Sequence, residues 1–123
     1  MYKVVNSYFY HQDPRGSITG IINTGLWGEL NYITSVKNTI RGGHYHKETE
    51  ELFFIFKGII KTTFEKVHDN KKTGEAEVRH FNAGDAFLVS CNVCHTFEVL
   101  EDSVWINVLS KKIDTAQPDF YKI

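Results

Sequence analysis

The sequence lacks the features that mark secreted, membrane-spanning and nucleic-acid-binding proteins. No apolar run approaches the roughly 20 residues of a membrane span, and the N-terminal stretch has no apolar core of signal-peptide length. Fourteen basic and fifteen acidic residues are spread along the chain and give a formal net charge of -1, so nothing forms the basic stripe that nucleic acid requires. We therefore expect a cytoplasmic protein with neither a membrane nor a nucleic acid as partner.

Cysteine is also scarce. The only two, Cys91 and Cys94, stand in the string CNVCH, which matches the attachment motif of c-type haem. A covalent haem requires export and usually a second axial ligand such as methionine, but the sequence shows no export signal and its only methionine is Met1. The flanking segments look like strands that pack their own side chains. We expect no haem and two buried, reduced thiols at a turn.

Helical periodicity is nearly absent. Short runs rich in Val, Ile, Phe, Tyr and Thr alternate instead with clusters of Gly, Asn, Asp and Lys. Many short strands at close spacing indicate an all-β sandwich or barrel, and a chain of 123 residues has the size of one domain, which we assign to residues 1–123. Ten strands are predicted, near residues 2–10, 16–23, 28–36, 39–46, 51–58, 59–67, 76–82, 85–90, 95–100 and 103–109, with a polar hairpin loop at 68–74 and tight turns at 81–85 and 100–103.

The stretch RGGHYHKETEELFFIFKG, residues 41–58, carries candidate ligands for a metal ion. Residues two apart in a strand point to the same face, so His44 and His46 project together, although a pair of exposed histidines on an edge strand would look the same. Glu51 opens the next strand and, by alternation, lies at the mouth of an apolar interior. A shift of one residue in the loop would put Glu50 there instead.

A third histidine, His95, follows the run GDAFLVSCNVC in the second half of the chain. Three histidines and one carboxylate form a set of nitrogen and oxygen ligands that suits Zn, Fe, Mn, Ni or Cu.

Together these motifs resemble the cupin superfamily, whose fold is the RmlC-like double-stranded β-helix, or jelly-roll barrel. The spacing of the first cupin motif is matched from His44 to Gly58, and that of the second from Gly84 to His95. The family's Pro, Gly and Asn of the second motif are replaced by Ser90, Asn92 and Val99. The resemblance implies a divalent transition metal (Zn, Ni, Mn or Fe) held by His44, His46, Glu51 and His95.

Three segments are similar to enzymes of nucleotide-linked sugars. RGGHYHK looks like the dTDP-4-keto-6-deoxyglucose 3,4-ketoisomerases, and DPRGSITGI resembles a segment of the dTDP-sugar 3,5-epimerases. RGGHYHKETEELFFIFKG, followed by KKTGEAEVRHFNAGD and ending in TAQPDFY, resembles the metal-binding cupin domain of CapF-type capsular-polysaccharide enzymes. These resemblances imply an epimerase or ketoisomerase that acts on a nucleotide-linked 4-keto sugar in cell-surface polysaccharide biosynthesis.

Two arginines are candidates for binding the diphosphate of such a substrate, because the planar guanidinium matches phosphate oxygens. Arg41 precedes the histidine pair, and Arg15 is a weaker candidate of the same kind. Strict alternation would turn Arg41 away from His44, but the pair Gly42-Gly43 favours a β-bulge that re-aims its neighbours. Trp27 and several other aromatic residues are interpreted as barrel lining.

Isomerisation of a keto sugar removes a proton next to the carbonyl and returns one at another carbon. In a metal-free site, His44 or His46 is the base and Tyr32 is a candidate proton relay. The ketoisomerases lack the cupin glutamate, so the presence of Glu51 with His95 favours a metal. The histidines are then neutral ligands, and Tyr32 or His80 carries the proton by elimination.

Other functions are compatible with the same ligands. A non-catalytic metal- or sugar-binding cupin could act with a partner enzyme, a metal-dependent oxygenase could use iron in this site, and the polar cluster could hold only a structural ion. The N-terminal stretch YKVVNSYFY would leave aromatic side chains exposed on a lone barrel. We therefore expect a homodimer.

Overall fold

In the computed structural model, which describes residues 1–123, the chain forms eleven β-strands and no helix. The all-β prediction is confirmed, and no helix suited to crossing a membrane is present. The strands are β1 (Tyr2–Val5), β2 (Phe9–Asp13), β3 (Gly16–Gly20), β4 (Glu29–Ser35), β5 (Thr39–His44), β6 (Glu51–Lys57), β7 (Ile59–His68), β8 (Lys71–Asn82), β9 (Ala86–Val89), β10 (Val93–Val99) and β11 (Ser103–Leu109).

Two antiparallel sheets make up the barrel. One has five strands in the order β1-β9-β6-β11-β4, and the other has four in the order β5-β10-β7-β8. The hairpin of β2 and β3 forms a separate two-stranded sheet. Most neighbouring strands in the two large sheets are distant in sequence, as the long connections of a jelly roll require, whereas β7 and β8 form a hairpin. This is the predicted cupin architecture.

The core consists of aromatic and branched side chains from the inward positions of both sheets. The Phe87 ring, fully buried, stacks on Phe81 with 3.9 Å between ring centroids. Phe53 and Phe97 extend the core toward the histidines, since each ring lies within 6.1 Å of the His95 ring. The core members are Phe53, Ile55, Ile60, Phe64, Phe81, Phe87, Val89, Val93, Phe97 and Trp105.

Two predicted boundaries were wrong. The first predicted strand is interrupted, so residues 2–10 contribute to both β1 and β2, which lie in different sheets. The predicted loop at 68–74 is only a two-residue turn, because Asp69 and Asn70 both adopt positive φ (50° and 62°). Asp and Asn tolerate this conformation better than other non-glycine residues, and it suits a tight hairpin. Residues 71–74 therefore extend β8.

Trp27 does not line the barrel as predicted. It precedes β4, is half-buried, and its indole nitrogen donates to the carbonyl of Thr24.

The predicted bulge at Gly42-Gly43 is confirmed. His44 pairs with His95, but Gly42 pairs with Thr96, so Gly43 is an extra residue in β5. Both glycines have positive φ (85° and 74°), which L-residues rarely adopt. The bulge reverses the parity of the strand, and Arg41 consequently lines the same cavity as His44.

Candidate metal centre

Four side chains converge where β5, β6 and β10 meet. His44 ends β5 opposite His95 of β10, Glu51 begins β6, and His46 lies in the loop between β5 and β6. One potential ligand atom from each residue lies within 4.8 Å of all the others. The structure thus brings together the whole predicted ligand set.

The choice between the two glutamates is resolved in favour of Glu51. Its side chain is buried and faces inward, whereas Glu50 is exposed. The backbone N–H of Glu50 donates to the hydroxyl of Ser110, which fixes the turn into β6. Alternation along β6 therefore starts with Glu51 on the inner face.

Two of the histidines are held in the tautomer that a metal requires. Nδ1 of His95 lies 3.0 Å from the carbonyl oxygen of Val93, and Nδ1 of His46 contacts the carbonyl oxygen of Asp119. A carbonyl only accepts hydrogen bonds, so each Nδ1 carries the proton. Each Nε2 then has a free lone pair, as in histidines that ligate metals.

The converging atoms are buried and have no hydrogen-bond partner. These atoms are Nε2 of His46, Nε2 of His95 and Oε1 of Glu51. Both nitrogens approach Oε1 closely, the one on His95 at 3.3 Å, but neither contact has hydrogen-bond geometry. Unpaired buried polar atoms are costly, and a shared cation would satisfy all three at once. The residues therefore fit a divalent metal with nitrogen and oxygen ligands.

The electrostatics of the cluster also suit a cation. Burial, together with the neighbouring His95 and His46, lowers the pKa of His44 to about 4, so its imidazole is neutral at pH 7. Burial would raise the pKa of Glu51, but contacts with His46 and His95 outweigh it and hold the pKa well below its usual range. Burial likewise opposes charge on His46, but its contact with the Glu51 carboxylate raises its pKa.

A cavity of about 170 Å³ opens beside three of the four ligands. This is small compared with the ~300–1,000 Å³ of typical ligand pockets, so it has room for one end of a larger ligand rather than all of it. Four of its lining residues are apolar or aromatic, and the others include the ligands and other polar side chains. The lining residues are Ile33, Phe53, Phe97, Trp105, Arg41, Gly42, His44, Glu51, His95 and Asn107.

The two arginines differ in position. Arg41 lies at the cavity, where its Nε donates to the hydroxyl of Ser35 at 2.7 Å and its guanidinium donates to the carbonyl of Thr34 at 2.9 Å. These bonds fix the head group while leaving it exposed. Arg15 lies in the turn of the β2–β3 hairpin, pairs with Asp13, and does not line the cavity.

The structure does not bring the predicted proton relays to the cluster. Tyr32 lies on the outer face of β4 and is 70% exposed, because its neighbours Asn31 and Ile33 take the inward parity. His80 is exposed on β8. Neither residue lines the cavity. A role for Tyr32 as a relay within one chain therefore does not fit its position.

Two important contacts were missed by the sequence analysis. The Nδ2 of Asn107 donates to Oε2 of Glu51 at 3.0 Å, and Asp119 contacts both the His46 ring and the loop beside it. Inward parity along β11 could have marked Asn107. No spacing rule connects Asp119 with a residue more than seventy positions away.

The two cysteines are free thiols, but the prediction of two buried thiols at a turn was wrong, because Cys91 is only partly buried and Cys94 lies within β10. Cys94 is buried in β10 and packs with Tyr45 and Val67 in a small second apolar cluster. Burial raises its pKa, which keeps the thiol protonated. Cys91 lies in the turn before β10, and neither sulfur belongs to the metal cluster.

Comparison with known families identifies the chain. The family model described as "Polysaccharide biosynthesis C-terminal domain" matches residues 11–119. The protein belongs to this family. The matched residues include every predicted ligand of the metal centre, and the family description agrees with the predicted context of polysaccharide biosynthesis.

A characterised relative is similar over part of this polysaccharide biosynthesis domain. UDP-2-acetamido-2,6-beta-L-arabino-hexul-4-ose reductase of Pseudomonas aeruginosa is 33% identical over 57 residues. The aligned part covers 46% of the domain but 15% of the reductase. Most of the reductase thus has no counterpart in this chain.

Solved structures share the fold of the domain. The capsular polysaccharide assembling protein CapF of Staphylococcus aureus has a TM-score of 0.69 at 25% identity, covering 94% of this chain and 34% of CapF. The QdtA sugar 3,4-ketoisomerase of Thermoanaerobacterium thermosaccharolyticum, in complex with TDP, has a TM-score of 0.77 at 17% identity and coverage of 99% and 88%. The rmlC epimerase of Mycobacterium tuberculosis has a TM-score of 0.80 at 15% identity and coverage of 99% and 68%. The predicted RmlC-like fold is confirmed.

Proposed function

We propose that this domain is a metal-dependent epimerase or ketoisomerase of a nucleotide-linked 4-keto sugar in polysaccharide biosynthesis. The observation that carries the proposal is the ligand cluster beside a small cavity with a fixed, exposed guanidinium at its edge. The cavity has room for a sugar ring, and Arg41 is placed for the diphosphate outside it. The family, the reductase of a hexul-4-ose and the ketoisomerase bound to TDP all support nucleotide sugars as ligands.

The chemistry requires a stabilised enolate. A divalent ion bound by the four ligands would polarise the sugar carbonyl and would stabilise the oxyanion that forms when the neighbouring carbon gives its proton to water at the open side of the cavity. His44, His46, His95 and Glu51 would hold that ion in place. Returning a proton on the opposite face of the same carbon completes epimerisation. Isomerisation instead returns the proton at the former carbonyl carbon, while the neighbouring hydroxyl gives its proton to the oxyanion and becomes the new carbonyl.

One observation favours a second candidate. All the imidazoles that reach the cavity belong to the ligand set, and neither Tyr32 nor His80 lies there. A metal-loaded domain therefore lacks a free side-chain base in the cavity. Under this reading, the domain binds a metal and a sugar nucleotide without catalysis and acts with a partner enzyme. An oxygenase has no such observation in its favour.

Hydrogen–deuterium exchange distinguishes these candidates. The protein is purified without a histidine tag, its metal content is measured, and it is incubated in D₂O with UDP- and dTDP-linked 4-keto-6-deoxy sugars. We expect about one metal ion per chain. We also expect deuterium to be incorporated at the carbon next to the carbonyl, which NMR detects. Chelator-treated protein and His46→Ala should lose both.

Other outcomes have distinct meanings. Exchange that survives metal removal but is lost in His46→Ala would replace the metal with a metal-free acid–base pair of His44 and His46. Sugar-nucleotide binding without any exchange would support the non-catalytic candidate and contradict the enzyme. Binding itself is detected by thermal shift, because a ligand of the native state raises the apparent stability.

We also propose that the domain is a cytoplasmic homodimer. Large apolar side chains are exposed on the β2–β3 hairpin and on the outer face of β4, more than a lone barrel usually presents. They include Tyr8, Phe9, Tyr10, Ile18, Leu30 and Tyr32, each at least 48% exposed. Gel filtration with light scattering should give twice the chain mass, and a monomer at micromolar concentration would contradict the proposal.

A further inference from the structure

The last residues of the chain cross the metal centre and contact three parts of it. We call residues 117–121 the C-terminal segment. It pairs with the loop after β5, because Tyr121 and Tyr45 exchange two backbone hydrogen bonds of 2.9 and 3.0 Å. The Phe120 ring lies against His44, with 4.3 Å between centroids. The segment is therefore attached to the two residues that precede His46.

Asp119 makes the most contacts in this segment. Its carboxylate accepts the backbone N–H groups of Lys47 and Glu48, each at 2.8 Å, and the hydroxyl of Thr49 at 2.9 Å. These three consecutive residues belong to the four-residue loop, residues 47–50, that joins His46 to Glu51. One carboxylate thus fixes the conformation of the chain between two metal ligands.

The backbone of the same residue acts on the ring. The carbonyl oxygen of Asp119 accepts the Nδ1–H of His46, which directs Nε2 toward Glu51 and His95. His46 needs such support more than the other histidines do. His44 and His95 lie within β5 and β10 and are held by the ladder between them, whereas His46 follows the end of β5.

We propose that Asp119 is a positioning residue, which holds His46 in the tautomer and orientation that a divalent metal requires. This inference rests on the metal centre proposed above and adds to it a residue outside both ligand motifs. Hydrogen bonds from outer residues to metal-binding histidines typically change metal affinity by about 10–100-fold. Asp119 combines that bond, through its carbonyl, with control of the adjoining loop through its carboxylate.

The test compares three variants with the wild type. Asp119→Ala removes all carboxylate bonds to the loop. Asp119→Asn keeps one oxygen acceptor but turns an NH₂ group toward backbone N–H donors, so it should be intermediate. Asp114→Ala is the matched control, since Asp114 is a nearby carboxylate that accepts only from the N–H groups of Ala116 and Gln117.

Metal binding is measured without reference to activity. Zn²⁺ affinity is obtained by competition with a chromophoric chelator, the coordination of Co²⁺ by its visible absorption spectrum, and stability by thermal unfolding with and without metal. We expect Asp119→Ala to weaken Zn²⁺ binding about tenfold, the lower end of this range because the carbonyl that accepts from His46 is retained, and to change the Co²⁺ spectrum. Asp119→Asn should lose less, and Asp114→Ala should match the wild type.

Two results would overturn the inference. In the first, both Asp119 variants bind Zn²⁺ with wild-type affinity and an unchanged Co²⁺ spectrum. In the second, they lower the unfolding temperature equally with and without metal, which means that Asp119 has only a structural role. If the wild-type protein itself binds neither Zn²⁺ nor Co²⁺, the proposed metal centre is wrong and the role of Asp119 is wrong with it. This result can be distinguished from the two above, in which the wild-type protein binds metal.

Discussion

Asn107 supports Glu51 from the neighbouring strand. Asn107 pairs with Phe53, and Leu109 pairs with Glu51, so Asn107 and Glu51 are diagonal neighbours on the inner face of the β6–β11 pair. The Nδ2 of Asn107 donates to Oε2 of Glu51 at 3.0 Å and leaves Oε1 directed at the histidines. The Oδ1 of Asn107 is buried beside the cavity without a partner. Asn107 thus orients the carboxylate and offers an acceptor to whatever the cavity holds.

Replacing Asn107 should therefore weaken metal binding. Asn107→Ala removes the donor to Glu51, and we expect about a 10–100-fold loss of Zn²⁺ affinity, measured by chelator competition. Asn107→Asp should lose more, because a second carboxylate beside Glu51 raises the cost of keeping both ionised.

Asn31→Ala is the control for Asn107. Asn31 pairs with Asn107 across β4 and β11 and also faces inward, but its amide donates to Glu29 and it does not line the cavity. Equal losses of affinity in Asn31→Ala and Asn107→Ala would contradict a specific role for the bond to Glu51.

The pH dependence of metal binding should report on His46. A protonated imidazole cannot ligate a metal, so binding is retained above the pKa of a ligand and lost as the pH falls through it. The pKa of His46 is raised and that of His44 is lowered to about 4. Zn²⁺ affinity should fall about tenfold per pH unit below the pKa of His46, with His44 contributing only near pH 4.

Isothermal titration calorimetry at a series of pH values would measure how the logarithm of the Zn²⁺ affinity changes with pH, after correction for the protonation of each buffer. A slope of two or more protons between neutral pH and pH 5 that persists in the His95→Ala variant would mean that His44 also titrates there. That result would contradict the lowered pKa of His44. The His95→Ala variant provides a reference in which one ligand is absent at every pH.

The sequence predicted those parts of the centre that lie within motifs. Spacing placed His44, Glu51 and His95, and the two glycines before His44 predicted the bulge that turns Arg41 to the cavity. These positions depend on strand parity and local backbone preferences, which a sequence expresses directly.

The contacts between distant segments could not be predicted in this way. Tyr32 was proposed as a proton relay because it lies close to the histidines in sequence. Whether its side chain faces inward or outward depends on how β4 pairs in the sheet, and in the structure Tyr32 faces outward. Asn107 and Asp119 reach the ligands only because the fold brings β11 and the C-terminal segment to them. Such contacts depend on tertiary structure rather than on any local periodicity.

Arg41 should contribute to nucleotide binding and not to metal binding. Its guanidinium is held by Ser35 and Thr34 at the cavity edge. We expect Arg41→Ala to weaken binding of UDP or dTDP about tenfold, the lower end for a hydrogen bond to a charged group, because the site is exposed. Calorimetry measures this, and metal content should not change.

Arg15→Ala is the matched control, because Arg15 does not line the cavity. If Arg15→Ala rather than Arg41→Ala weakens nucleotide binding, the diphosphate lies on the β2–β3 hairpin instead, which would be consistent with a dimer in which that hairpin reaches the partner's cavity.

The two glycines of the bulge should respond differently to alanine. Both have positive φ, so either substitution costs about 1–2 kcal/mol in backbone strain. A Cβ on Gly43 would meet nothing within 4 Å, but one on Gly42 would lie 2.5 Å from the carbonyl oxygen of His95. We expect Gly43→Ala to lower the free energy of unfolding by the cost of the backbone strain alone and to retain Zn²⁺ binding.

Gly42→Ala should lose more stability, and it should also displace His95 and so lose Zn²⁺ binding. Urea unfolding and metal analysis measure both effects, and equal behaviour of the two variants would mean that β5 and β10 are not packed as closely as this contact requires.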